Sequence, residues 1–153
     1  MPSPALRLAK EHDVGVLLEM MDDFNRCEVI AWEPATTELA LRKLLKEPTL
    51  GQVVVVEDEG VIRGYAVLTY GYDLEFAGRD AYLTELYLRP EARGQGLGKW
   101  LLARVEERAH EAGVQAVHLM VRPENEPALK LYRRAGFEAP PRVFLTKRLP
   151  PER

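Results

Sequence analysis

Three glycines stand at alternate positions in RGQGLGKWLL (residues 93–102), Gly94, Gly96 and Gly98, with Arg93 and Lys99 beside them. An apolar helical pattern begins directly after. A glycine inside a helix costs roughly 1 kcal/mol relative to alanine, so a cluster at a helix mouth needs a geometric reason or a ligand. Two nucleotide fingerprints fail. A Walker loop would place its first glycine where Arg93 stands and a Ser or Thr where Trp100 stands. A dinucleotide fingerprint needs GxGxxG after the first strand, whereas these glycines are evenly spaced and late in the chain. Two readings remain. One is a tight strand-to-helix turn, which needs one glycine or two. The other is an anion cradle suited to a pyrophosphate, in which backbone N–H groups converge at a helix N-terminus beside Arg93 and Lys99.

The elements that must position this segment alternate in period along the chain, with no repeat or low-complexity linker. Residues 5–10 read as a strand. Residues 12–26 read as a helix with Val14, Leu17, Leu18 and Met21 on one stripe. A second helix over 38–47 is capped by Thr36 or Thr37 and stopped by Pro48. The β-branched run 52–58 and the segment 61–74 form an antiparallel hairpin across EDEG, and a long strand follows over 81–90. A helix over about 98–112 ends at Gly113, and a buried strand follows at 116–123. Then come a helix at 126–136 and a closing strand at 142–149. Strands on either side of a crossover helix are parallel, so 81–90 and 116–123 make one parallel pair in an otherwise antiparallel sheet.

At 153 residues, 46% hydrophobic and 29% charged, the chain has the size and composition of one soluble domain spanning 1–153, with no bilayer-length apolar run. The opening MPSPALRLAKEHD lacks a signal-peptide core, which points to a cytoplasmic protein. A net charge of −3 argues against nucleic acid as a partner. One cysteine and three scattered histidines make no zinc-type spacing, so no metal is expected. Cys27 has no neighbouring histidine to activate it and reads as a small buried residue.

The segments YLTELYLRPEARGQGLGKWLL and VRPENEPALKLYRRAGF resemble the GNAT superfamily of acetyl-coenzyme A-dependent N-acetyltransferases. Arg93, Gly96 and Gly98 match its R/Q-x-x-G-x-G/A signature. Asn125, Ala128, Leu131, Tyr132, Gly136 and Phe137 match its later N-x-x-A-x-x-L-Y-x-x-x-G-F pattern. The resemblance covers about 52–149, and the stretch 64–98 is most similar to the diamine acetyltransferase branch. It implies an α+β GNAT fold: a mixed, mostly antiparallel sheet with one splayed parallel pair in the centre, flanked by about four helices.

The resemblance also implies roles. Backbone amides of Arg93, Gly94, Gln95, Gly96, Leu97, Gly98 and Lys99 would hold the coenzyme A pyrophosphate. Leu86, Tyr87 and Leu88 would line the pantetheine arm, with a backbone N–H there facing the acetyl carbonyl. Asn125 would touch the same arm or cap its helix, and Lys130 and Arg133 would reach the adenosine phosphates. Tyr132 would protonate the leaving thiolate, and Glu85 is the candidate general base for an attacking amine. The diamine branch carries an acid just before that position, where this chain has Thr84. The acceptor site would draw on MMDDFNRCEVIAWEP and TYGYDLEFAGRD, whose Asp22, Asp23, Glu28, Trp32, Tyr70 and Tyr72 interleave acids with aromatics as a small cationic amine requires. The expected protein is a homodimer, with RVFLTKRL available to pair or pack across the interface. Two other readings share this fold: a silent acyl-coenzyme A-binding sensor, and an acetyltransferase acting on protein N-termini or lysines.

Overall fold

The computed structural model describes residues 3–151, which form a five-stranded sheet in the order β1-β2-β3-β4-β5. The strands are β1 (Ala5–Leu8), β2 (Gly51–Asp58), β3 (Val61–Asp73), β4 (Gly78–Leu88) and β5 (Ala116–Leu119). Between β1 and β2 lie α1 (Val14–Cys27) and α2 (Pro34–Lys46); α3 (Leu97–Glu111) precedes β5 and α4 (Glu126–Arg134) follows it. β1 to β4 are antiparallel in sequence order, and the crossover through α3 makes β4–β5 parallel.

The run of valines in β2 explains the layering. Alternate side chains of a strand point to opposite faces, so Val53 and Val55 pack on one side and Val54 and Val56 on the other, all four buried. The first face takes α1 through Val14, Leu17, Met20 and Met21, with Leu41 of α2. The second takes α3 through Leu101, Leu102, Val105 and Ala109. Leu17 and Leu101 are wholly excluded from solvent, each burial contributing about 2 kcal/mol. The β2–β3 turn closes on Glu59 and Gly60 at positive φ, the two-residue geometry that matches strand twist.

Five expectations are corrected. Residues 142–149 form no strand, and the parallel pair therefore lies at the edge of the sheet rather than its centre. β5 ends at Leu119, because beyond it the chain diverges from β4 toward α4. α2 begins at Pro34, four residues early, because proline suits the first turn and the Glu33 carboxylate accepts the Ala35 N–H; Thr36 and Thr37 lie inside the helix. Cys27 is exposed: it is the last residue of α1, and Arg26 before it and residues 29–31 after it are exposed as well.

Candidate active site

The parallel ladder stops at the pair Leu83–Leu119, while β4 continues to Leu88. From Thr84 onward β4 pairs only with β3, leaving its other backbone edge open. The sheet thus splits into a V at this point. Its closed end is marked by Asp80, 4% exposed, which bonds His118 Nε2 at 3.0 Å between the rings of Phe76 and Tyr82. Gly71 faces that carboxylate, and a Cβ there would lie 2.6 Å from Asp80 Oδ1.

A β-bulge decides what faces the V. Leu83 pairs with Leu68 and Glu85 with Val67, so Thr84 is an extra residue in β4. Without it, Glu85 would share the α3-side face with Leu83. With it, Glu85 turns to the α1 side, where the hydroxyl of fully buried Tyr65 donates to Glu85 Oε1 at 2.7 Å. Burial raises the Glu85 carboxyl above the usual carboxylate range, and the bond from Tyr65 only partly opposes this. On the same face the Tyr87 hydroxyl donates to Asp23, and burial followed by that partner pushes the phenol up to about 12.

The glycine segment follows β4 through a turn at Pro90–Ala92. Gly94 and Gly96 have φ of 77° and 79°, a left-handed conformation that favours glycine, and Gly96 is the cap residue of α3. Gly98 is helical, and a Cβ there would make only ordinary contacts with Leu131 and Leu88. The turn itself therefore requires two of the three glycines. Arg93 is engaged locally: its N–H donates to Pro90, its Nε donates to the Leu88 carbonyl at 2.9 Å, and its guanidinium lies over the Tyr87 ring near Asp23. Among the described residues, the N–H groups from Gly94 to Lys99 have no acceptor. Gln95 anchors its side chain on the Glu91 carbonyl, and Leu97 packs toward the α3-side core with Leu86 and Leu88.

Across the V, α4 is capped by Asn125, whose Oδ1 accepts the Ala128 N–H at 3.3 Å, with Pro127 in the first turn. Tyr132 sits half-buried on this helix, edge-on to Phe137 at 5.9 Å. Burial, then the charge of Glu28, pushes its phenol up to about 12. Arg122, in the loop before α4, donates to the carbonyl of Cys27 at the end of α1, next to Glu28. Lys130 and Arg133 are exposed on α4.

The remaining candidates are dispersed. Asp22 pairs with Arg26 on the surface of α1, and Asp23 is held by Tyr87. Trp32 packs against the α1-side core. Tyr70 lies on the α3 side, accepting from Gln52 Nε2 at 2.6 Å with Arg79 stacked on its ring, whereas Tyr72 is 77% exposed on the hairpin. Sequence reasoning missed Tyr65 as the partner of Glu85 and the Asp80–His118 pair. Both are cross-strand relations, and the only available signal was a tyrosine within an apolar strand. Among the described residues, no helix is long and apolar enough to cross a membrane, and no group of three His, Cys, Asp or Glu is placed to hold a metal.

Comparison with known proteins adds the following. The model of the Acetyltransferase (GNAT) family matches residues 17–137. A thialysine N-epsilon-acetyltransferase of Sus scrofa is 31% identical over 144 residues, covering 89% of this chain and 85% of that protein. An integron cassette protein from the mobile metagenome of Cole Harbour Salt Marsh superposes with a TM-score of 0.83 at 31% identity, covering 96% and 91% of the two chains. The aminoglycoside N-acetyltransferase AAC(6')-Iy, solved in complex with CoA, shares the fold with a TM-score of 0.81 at 16% identity, covering 97% and 96%.

Proposed function

The chain belongs to the GNAT acetyltransferase family and is an acyltransferase, and from that premise we propose that it moves an acetyl group from acetyl-coenzyme A to a primary amine of a small molecule by direct attack. The observation that carries this reading is a conjunction at the mouth of the V. The open β4 edge from Thr84 to Leu88 leads to six consecutive amides without an acceptor, and a half-buried carboxylate stands on the same strand. Gly98 supports a ligand there, because the fold alone leaves room for a Cβ at that position. These residues fit an elongated pyrophosphate-bearing molecule, which supplies the activated thioester when bound.

In this reading the amides of Gly94 to Lys99 hold the pyrophosphate at the N-terminus of α3. Leu86, and Leu88 through its N–H since its carbonyl already accepts from Arg93, offer backbone groups along the pantetheine arm, as a sheet edge does to an added strand. Arg93 acts mainly by fixing the turn. Lys130 reaches outward toward the adenosine phosphates. Glu85 takes the proton of the acceptor ammonium, directly or through a water, and its raised pKa brings it nearer to the working pH. Tyr132 stays protonated at neutral pH and gives its proton to the departing thiolate. Glu28, whose charge is felt at Tyr132, attracts a cationic acceptor. Direct attack needs no acyl-enzyme, and exposed Cys27 lacks an activating base.

The test is release of free thiol from acetyl-coenzyme A against thialysine, lysine, diamines, amino acids, aminoglycosides and short peptides. Turnover with a small amine is expected. Tight coenzyme A binding without turnover across the panel would instead make the protein a sensor, and turnover confined to peptides would make it a protein acetyltransferase.

A further inference from the structure

At the end of the sheet opposite the glycine segment lies a second concave region that acetyl transfer does not use. A cavity of about 190 Å³ opens where the start of β2 and the end of β3 meet the last turns of α2 and α3. Its walls are apolar, formed by Leu8, Leu44, Leu45, Pro48 and Val53. Leu44 and Leu45 pack on the α1-side core, while Leu8 is 49% exposed.

One charged side chain lines this cavity, that of Arg108. Its Nε donates to Gln52 Oε1 at 2.6 Å, and Gln52 Nε2 donates to the Tyr70 hydroxyl at 2.6 Å. The Tyr70 ring lies under the Arg79 guanidinium, 4.7 Å from its centroid, and Arg79 donates to the Ala112 carbonyl at 3.1 Å. Side chains from β2, β3 and β4 thus hold the guanidinium of α3 in place. Its terminal amines have no partner among the described residues and remain accessible. The adjacent acid, Glu107, is taken by Arg104.

Packing accounts for only part of this arrangement. A cation in the last turn of a helix complements the macrodipole while free in solvent. That role requires neither the bond to Gln52 nor an apolar cavity alongside. Tyr70, grouped by sequence with the acceptor residues, belongs to this polar series instead.

The lining also defines what is refused. It contains no acid, so a zwitterionic amino acid would leave its ammonium without a counter-charge. A carboxylate, by contrast, can accept two N–H donors from one guanidinium. The space equals roughly six water volumes, enough for a branched acid of about six carbons.

We propose that this cavity is a second ligand site, binding a small apolar carboxylate that carries no ammonium. The anion sits on Arg108 and the branched body against Leu44, Leu45 and Val53. None of the lining residues belongs to β4, α4 or the glycine segment, so the site is separate from the V.

Heteronuclear NMR with 4-methylpentanoate, its amide and leucine tests this, because the three share one branched body. With the acid, saturable shifts are expected at the amides of Leu44, Leu45, Gln52 and Val53. The amide lacks the charge and leucine adds an unpaired ammonium, so each is expected to bind at least about tenfold more weakly. Arg108→Met keeps the length of the side chain, removes its charge, and is expected to weaken the acid by at least about tenfold. Leu8→Asp, at an exposed position of the edge strand β1, is expected to do the same by like-charge repulsion, and it decides the matter if Arg108→Met does not fold. No shifts with millimolar acid, shifts confined to Gly94–Lys99, leucine bound as tightly as the acid, or an affinity that survives loss of the Arg108 charge each overturns the site.

Discussion

Asp13, at the start of α1, and Glu85, on β4, are both carboxylates drawn toward the interior, and their surroundings push them in opposite directions. Asp13 is 3% exposed and accepts two bonds from Arg7, at 2.8 and 3.0 Å, and one from the Lys10 N–H at 2.7 Å. The Arg7 guanidinium holds its carboxyl below the usual range despite burial. Glu85 accepts one bond from a neutral phenol and is raised by desolvation. A carboxylate saturated by a guanidinium and an amide is bound to its charged form and stabilises the fold. One with a single neutral donor can exchange a proton, which suits chemistry and works against stability.

The signs follow from linkage. The depressed pKa of Asp13 contributes stability that is present above its unfolded value and lost as pH falls through the folded one. The raised pKa of Glu85 acts the other way: its neutral form favours the fold, and that contribution is lost as pH rises through the folded value.

The contrast can be broken at several places. Asp13→Ala leaves Arg7 with the Glu57 carboxylate and the Leu8 carbonyl and is expected to cost about 3 kcal/mol, lowering Tm by roughly 6–12 °C while turnover per folded molecule is kept. A melt that matches wild type would remove Asp13 from the structural side. Glu85→Gln is expected to reduce kcat about 100-fold, or ~2.7 kcal/mol of barrier, and to flatten the acidic limb of the pH–rate profile. The same variant should melt no lower than wild type at neutral pH; undiminished turnover would retire the base assignment. Tyr132→Phe is expected to lower kcat about tenfold with little change in KM, and equal kcat would return Tyr132 to the core.

Two smaller effects sharpen the comparison. Tyr65→Phe removes the one bond that favours ionised Glu85, so the acidic limb should move to higher pH; a limb that stays in place would show that Tyr65 does not tune the carboxyl. Gly98→Ala should leave the melt unchanged or raise it by up to ~1 kcal/mol of helix propensity. It should nevertheless raise KM for acetyl-coenzyme A several-fold, and an unchanged KM would mean the third glycine serves packing alone.

Most of the architecture was legible because local patterns are strong here. The valine run of β2, the α1 and α3 stripes, the EDEG turn and the stop at Gly113 all agree with the packing observed. The misread elements involve competition between local signals or depend on a partner. Pro34 with Glu33 outcompetes Thr36 and Thr37 for the start of α2, and 142–149 has a strand pattern without a strand beside it. The glycine segment was legible because positive φ and missing acceptors are local properties. The acceptor-side candidates were not, because Asp22, Asp23, Tyr70 and Tyr72 are close in sequence to Glu28 or the hairpin yet reach different surfaces.

By itself the sequence determined the two motifs, their order on strand and helix, and hence the family they resemble. The face taken by Glu85 was decided only in three dimensions. Alternation counted from Leu83 assigns Glu85 to the α3 side, and the Thr84 bulge reverses that by adding one residue opposite β3. A bulge is a register shift between two strands, and no pattern within one strand contains it.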